Sequence, residues 1–432
     1  MKKDNWGTVI KPLFELAALD YQVPTSSGMV REVMLDNAAT TIPFKAVLEE
    51  VAAFLQGYGS IHRGAGYRSQ LSSQKYEEAR DFIRQFVGAS EQNYVVFSSN
   101  TTTAINQAAM LLSQTAGMAL VFDEEHSSNL LPWIHSFGLE RLVRPPIGKN
   151  DIINTVEKAF MEHPDIKIVA VTGSSNVTGK KMPIYDLAHI AHQHGASILA
   201  DICQLIPHQQ VDIKAYDDPQ HLDFITFSGH KIYAPFGTGV LVGPKNFFDN
   251  VVPYQLGGGN LTYITPDLEL LRQPKVQAHE RGTPNAVGVV ALGSALKVID
   301  RIGYKSIASH EHALTKKAFD LLKNINRVRI YLDSPQGTVI PFDVDGYTAQ
   351  EVSAQLRQDY GIAVRAGSFC TYELLRQLKG LSREEDAFIA EAIKKGDTAG
   401  IPTIIRASFG LVNQENDVER FYTAIKEIAG RR

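Results

Sequence analysis

Past residue 35 the chain alternates short apolar runs with stretches of helical period. The runs Ala119–Phe122, Ile166–Val171, Ala196–Ala200 and Phe224–Phe227 are apolar on consecutive positions, which predicts strands buried on both faces of a parallel sheet. A fifth run, Gly239–Val242, reads as an antiparallel or edge strand. Earlier in the chain Tyr76, Ala79, Phe82, Ile83 and Phe86 recur at three-to-four spacing, predicting a helix over 76–89 with Gly88 as its stop. Strands alternating with helices argue for a doubly wound α/β domain. From about residue 290 the character changes. A helix over 287–302 leads into strands RVRIYL and TVIPFDV, then a helix opened by the capping box Thr348-Ala-Gln-Glu351, then a strand GIAVRAG. This predicts a large domain over 35–290 and a smaller α+β domain over 291–432, on which residues 1–34 pack.

Composition narrows the field. Of 432 residues, 44% are hydrophobic and 21% charged, which excludes disordered, collagenous and disulfide-rich classes. A net charge of −4 gives no electrostatic pull toward nucleic acid. Two cysteines, Cys203 and Cys370, are too few for a disulfide framework and wrongly spaced for a zinc ribbon, so no metal site is expected. No 18-residue apolar run and no targeting signal is visible, so the expectation is a cytoplasmic protein with no membrane span.

Candidate chemistry collects where the runs end. Open parallel sheets bind ligands at the carboxyl ends of their strands. Four successive runs are followed there by Glu125-His126, by Ser175-Asn176, by Asp201-Ile-Cys-Gln204 and by Ser228-Gly-His-Lys231. A lysine at the end of a buried strand is suited to a Schiff base, although surface loops carry lysines too. A carboxylate directly after a buried strand needs either a cation, such as a pyridinium nitrogen, or a helix to cap. The segment Ser98-Ser-Asn-Thr-Thr-Thr103 precedes an apolar helical stretch, which suits an anion at a helix N-terminus and equally suits ordinary capping. Cys370 follows a strand and a glycine; it is either an accessible nucleophile or a small apolar filler. Arg406 offers a forked guanidinium for a carboxylate, or a surface ion pair.

Taken in order, these segments resemble a known family. Leu35-Asp-Asn-Ala-Ala-Thr-Thr41, His62-Arg-Gly64, Asn100-Thr-Thr-Thr-Ala-Ile-Asn106, Glu125-His-Ser-Ser-Asn-Leu-Leu-Pro-Trp133, Ser175-Asn-Val-Thr-Gly179, Asp201-Ile-Cys-Gln204, Ser228-Gly-His-Lys231, Arg281-Gly-Thr-Pro-Asn285, Arg365-Ala-Gly-Ser-Phe-Cys370 and Arg406-Ala-Ser408 run from about Met34 to Val418. In that order they resemble the class V aminotransferase superfamily, pyridoxal-phosphate fold-type I, and within it the SUF-type cysteine desulfurases and selenocysteine lyases. The resemblance implies a large domain on a mostly parallel seven-stranded sheet with a smaller α+β domain, and pyridoxal 5'-phosphate as cofactor.

It also implies roles. Lys231 would bind the cofactor covalently and move the proton at the substrate α-carbon; His126 would stack on its ring. Asp201 would pair with the ring nitrogen and Gln204 with the phenolic oxygen, with Asn176 beside it near the substrate. Thr101, Thr102, Ser228 and His230 would hold the phosphate, and Thr283 would reach the phosphate of a neighbouring subunit, implying a homodimer. Arg406 would bind the carboxylate of a small amino-acid substrate. Cys370 would take sulfur from cysteine, or selenium from selenocysteine, leaving alanine and a persulfide for a protein sulfur acceptor.

The sequence departs from the SUF-type pattern at three places. Ser368-Phe369 stands where His-His is usual, Asn100 stands where glycine is usual, and a long insert follows Cys370 with a second capping box, Ser382-Arg-Glu-Glu385. These departures keep a second reading open: another reaction on the same cofactor, such as transamination, epimerisation or β-elimination, with Cys370 not accepting sulfur. A dinucleotide-binding fold lacks its glycine fingerprint.

Overall fold

A computed structural model describes residues 20–145, 151–259, 261–272 and 275–431. Its main sheet has seven strands: β1 (Asn93–Ser98), β2 (Met118–Val121), β3 (Leu142–Val143), β4 (Ile166–Thr172), β5 (Ser197–Asp201), β6 (Phe224–Ser228) and β7 (Gly239–Pro244). They lie in the order β1-β7-β6-β5-β4-β2-β3. Strands β2 to β6 run parallel, and β7 is antiparallel to both β1 and β6. The run Gly239–Val242 is thus antiparallel but interior, because β1 closes the sheet outside it.

The continuous apolar runs are explained by two covered faces. Along β4, Ile168 and Ala170 enter one core with Trp133 and Phe137, whereas Val169 and Val171 enter the opposite core with Leu187 and Ala191. Successive strand residues point to opposite faces, so a strand covered on both sides must be apolar throughout. Each such buried side chain contributes about 1.5–3 kcal/mol, which leaves strand ends free to carry polar groups.

The helix expected over 76–89 spans Tyr67–Phe86. Its first turns were missed because they bury hydroxyls: Ser72 Oγ accepts from Gly59 N at 2.8 Å, and Ser69 Oγ donates to the Ser60 carbonyl at 2.5 Å. Helix Ala286–Ile302 packs across it and across helix Lys45–Gln56.

A second sheet has four strands, β8 (Val328–Ile330), β9 (Val339–Val344), β10 (Arg365–Gly367) and β11 (Ile404–Ser408), in the order β8-β9-β11-β10. It has its own apolar core with helices Tyr304–Leu322, Ala349–Tyr360 and Glu415–Gly430. Both expected capping boxes are formed, at Thr348 and at Ser382. The helix opened by Ser382, Arg383–Lys394, buries none of its residues. The hairpin Gln22–Arg31 packs on helix Ala349–Tyr360, and Val33–Met34 pairs with Ile362–Ala363. The expectation for residues 1–19 lies outside the described residues.

Candidate active site

The carboxyl ends of the parallel strands open into a cavity of about 260 Å³, roofed by the second sheet. Thr101, Thr102, His126, Asn176, Asp201, Gln204, Ser228, His230, Lys231, Cys370 and Arg406 all line it. Thr283 does not; it is exposed, in the loop before helix Ala286–Ile302.

The floor is built from strand ends. Helix Thr101–Leu112 begins directly after β1, capped by Asn100, whose side chain accepts from Thr103 N at 2.9 Å. Asn100 is extended (φ −171°), so no left-handed residue is required there. The constraint falls on Gly239 instead, where a Cβ would sit 2.3 Å from the Asn100 carbonyl carbon. Thr101 is locked to the end of β6: its N–H donates to Ser228 Oγ at 2.8 Å, and the two hydroxyls are 2.7 Å apart. Thr102 Oγ1 lies 2.7 Å from Ser128 Oγ. The hydroxyls of Thr101, Thr102 and Ser228 gather at the positive end of this helix, a place that suits an anion.

His126 caps helix Ser127–Phe137, its Nδ1 accepting from Ser128 N at 3.1 Å. That bond requires a lone pair on Nδ1. Burial, aided by Lys231 and Arg406, holds the imidazole down to about 4, so the ring is neutral near pH 7. Asp201 ends β5, 6% exposed, with Oδ1 accepting from Cys203 N at 3.0 Å. Burial pushes its carboxyl up, against the pull of that bond and of Lys231. Gln204 Nε2 donates to the Ala38 carbonyl at 2.7 Å. Lys231 closes the short turn Gly229–Lys231 after β6. His230 is anchored by its carbonyl, which accepts from Thr41 N at 3.0 Å and Thr40 Oγ1 at 3.0 Å, and burial holds its ring down to about 4.

The roof is built from distant contacts. Arg406, on β11, is 2% exposed. Its Nη2 donates to Asp36 Oδ1 at 2.8 Å and its Nη1 to the Asn176 carbonyl at 3.0 Å, while Nε has no partner. The guanidinium lies 4.8 Å from the centre of the Phe369 ring, and Arg365 reaches the other oxygen of Asp36 at 3.7 Å. Phe369 and Cys370 both have positive φ, 53° and 56°, a conformation costly for residues with a side chain. The loop is held there from two sides. Ser127 donates to the Cys370 carbonyl through N at 2.8 Å and Oγ at 3.0 Å. Asn176 Nδ2 donates to the Phe369 carbonyl at 3.0 Å, and Thr371 Oγ1 donates to Asn176 Oδ1 at 3.1 Å. The Cys370 thiol is exposed and also borders a second cavity of about 190 Å³, with Ser127, Tyr372 and Arg376.

Asp36, Ser127 and the Phe369 ring escaped the sequence reading as site residues. Asp36 left one signal, a carboxylate directly after the buried Leu35; nothing in the sequence points to the other two. The side chain of Asn176, expected near the substrate, is committed at both ends to the cysteine loop.

The donor set fits pyridoxal phosphate. Hydroxyls at a helix N-terminus, a lysine, a neutral aromatic ring and a buried carboxylate share one cavity, which Arg406 also lines.

Known proteins share this sequence and fold. The family model "Aminotransferase class-V" matches residues 33–421. A probable cysteine desulfurase of Vibrio cholerae is 30% identical over 96% of this chain and 98% of its own length. One from Halobacterium salinarum is 33% identical over 91% of each chain. Among solved structures, the apo cysteine desulfurase of Thermococcus onnurineus superposes with a TM-score of 0.78 at 30% identity, covering 92% of this chain and 94% of that one. The match over nearly the whole chain means that this chain belongs to the class-V aminotransferase family and depends on pyridoxal phosphate.

Proposed function

We propose that this protein is a cysteine desulfurase: it removes sulfur from L-cysteine, or selenium from L-selenocysteine, releasing L-alanine and leaving the chalcogen on Cys370. The observation that carries the reading is that an exposed thiol, Cys370, lines the same cavity as Lys231 and Arg406. The two sequence relatives named above are described as probable cysteine desulfurases, and the solved structure as a cysteine desulfurase.

When bound, pyridoxal phosphate supplies an electron sink conjugated to the substrate α-carbon. Lys231 would hold it covalently, Thr101, Thr102, Ser228 and His230 would hold its phosphate, Asp201 would pair with its ring nitrogen, Gln204 with its phenolic oxygen, and His126 would stack on the ring. Arg406 orients the substrate carboxylate, with Asn176 behind it fixing the cysteine loop. With the substrate amine in its place, Lys231 Nζ would be free to take the α-proton, general-base work of roughly 10²–10⁴-fold. The Cys370 thiolate attacks the substrate sulfur: an S–S bond forms, the Cβ–S bond breaks, and its electron pair stays with the carbon skeleton, which is protonated to alanine. The persulfide then passes to a protein sulfur acceptor on the outer side of the loop. Thr283, exposed away from the cavity of its own chain, suits a homodimer in which it reaches the partner's phosphate. Among the described residues no helix is long and apolar enough to cross a membrane, and two free cysteines suit a cytoplasmic setting.

Products from cysteine, measured as alanine plus sulfide, test this directly. Cys370→Ala is expected to abolish desulfuration of cysteine while keeping the cofactor spectrum. Unchanged alanine output would overturn the role of Cys370. Keto-acid or racemised product would support the second reading, which is favoured by Phe369 engaging Arg406 rather than offering the thiol a base.

A further inference from the structure

At the other end of the main sheet from the cavity, three side chains converge. Asp223 immediately precedes β6, whose five residues end at Ser228; at about 3.3 Å per residue the two ends are roughly 17 Å apart. His192 lies in the last turn of helix Ile184–Gln193, and His221 lies in the loop before Asp223. His192 Nε2 is 2.9 Å from Asp223 Oδ2, and His221 Nε2 is 3.2 Å from Asp223 Oδ1. The two imidazoles stack with centres 4.2 Å apart. Their other nitrogens also face oxygens: His192 Nδ1 the Pro219 carbonyl at 2.9 Å, His221 Nδ1 the Asp218 carbonyl at 3.1 Å.

All four ring nitrogens therefore meet an acceptor. A neutral imidazole has one N–H and one lone pair, so in each ring a lone pair would confront an oxygen. Two states relieve the conflict. Either both rings carry two protons, or a cation sits between the two Nε2 atoms and the carboxylate while each Nδ1–H donates to its carbonyl. The second matches how metal-bound histidines are generally held, with the far nitrogen donating to a backbone carbonyl or carboxylate. Two imidazoles and one carboxylate, completed by water, are a donor set for zinc and its first-row neighbours. The ligand atoms already lie within 4.8 Å of one another; around a tetrahedral ion with bonds of about 2.0–2.2 Å they would close to roughly 3.4 Å, within reach of small ring rotations. Asp223 is fixed by the Ile198 N–H, which donates to Oδ2 at 2.9 Å. Side-chain exposures of 20% for His192 and 13% for His221 and Asp223 leave water an approach.

We propose that His192, His221 and Asp223 form a site for a divalent first-row transition metal, which ties the end of helix Ile184–Gln193 and the preceding loop to the start of β6, away from the chemistry. Zinc is the probe. It is titrated calorimetrically into EDTA-treated, tag-free holoenzyme carrying Cys370→Ser, so that the thiol does not compete, and into the same protein with His192→Gln or His221→Gln. The expected result is one zinc per chain, with affinity lowered about 100-fold or more by either substitution and a zinc-dependent rise in Tm that both variants lose. Binding that survives both substitutions overturns the proposal. So does failure of the parent to take up one equivalent, a result independent of whether the variants fold, which would leave the trio as a doubly protonated cluster.

Discussion

The floor and the roof of the cavity are made in different ways. Floor residues such as Thr101, His126, Asp201 and Lys231 each stand within a few residues of a strand end, and buried strands on both sides decide where they point. Roof residues owe their positions to partners far away in the chain. Arg406 is held by Asp36, 370 positions distant, and the Cys370 loop by Asn176 and Ser127, 193 and 243 positions from the atoms they bind. A floor of this kind is rigid because the core is rigid. The roof is rigid only while a handful of bonds hold two left-handed residues in place, so it is where turnover is most easily tuned without disturbing the cofactor.

Substitutions can break that contrast. The largest effect is expected in the floor: on the proposed mechanism Lys231→Ala removes both the covalent hold and the base, and alanine production should fall by more than about 10⁴-fold, with the loss of the lysine-bound absorbance band. An Asp36→Asn change attacks the roof through charge. It leaves the buried Arg406 without its counterion, and because Asp36 retains some exposure the cost should be about 2–3 kcal/mol, below that of a fully buried pair. Urea unfolding measures it, and a saturating carboxylate ligand should restore part of the loss; an unshifted midpoint would show that the ion pair does not stabilise the roof.

Smaller still is Asn176→Ala, which deletes two bonds of about 0.5–1.5 kcal/mol each from the cysteine loop. Turnover of cysteine should drop roughly tenfold while cofactor affinity stays within about twofold. Equal losses in both would place Asn176 with the floor.

A change of pH probes the floor without a substitution. His126 and His230 are held at about 4 by burial, below the ordinary value of 6.5. The unfolded chain therefore takes up protons first as the pH falls. Their contribution to stability is intact above 6.5 and is lost progressively toward 4, so Tm should decline across that window, and less steeply in His230→Gln.

Legibility follows the same division. Asp201 and Lys231 could be singled out because an apolar run fixes the strand and its end fixes the site. The insert helix was visible because Ser382 and Glu385 signal each other across three residues. The start of helix Tyr67–Phe86 was not, since Ser69 and Ser72 are buried by bonding to a loop rather than by being apolar.

The sequence by itself determined the class of fold, the residues on the floor of the cavity and the local caps, because periodicity and capping act over a few residues and leave their pattern in the chain. Only the tertiary structure decided that Asp36 neutralises Arg406, that Asn176 serves the cysteine loop, that Phe369 and Cys370 turn left-handed, and that His192 meets Asp223 across 31 positions. Those arrangements depend on which surfaces the two cores bring together, and a contact between distant residues leaves no period in the sequence from which to read it.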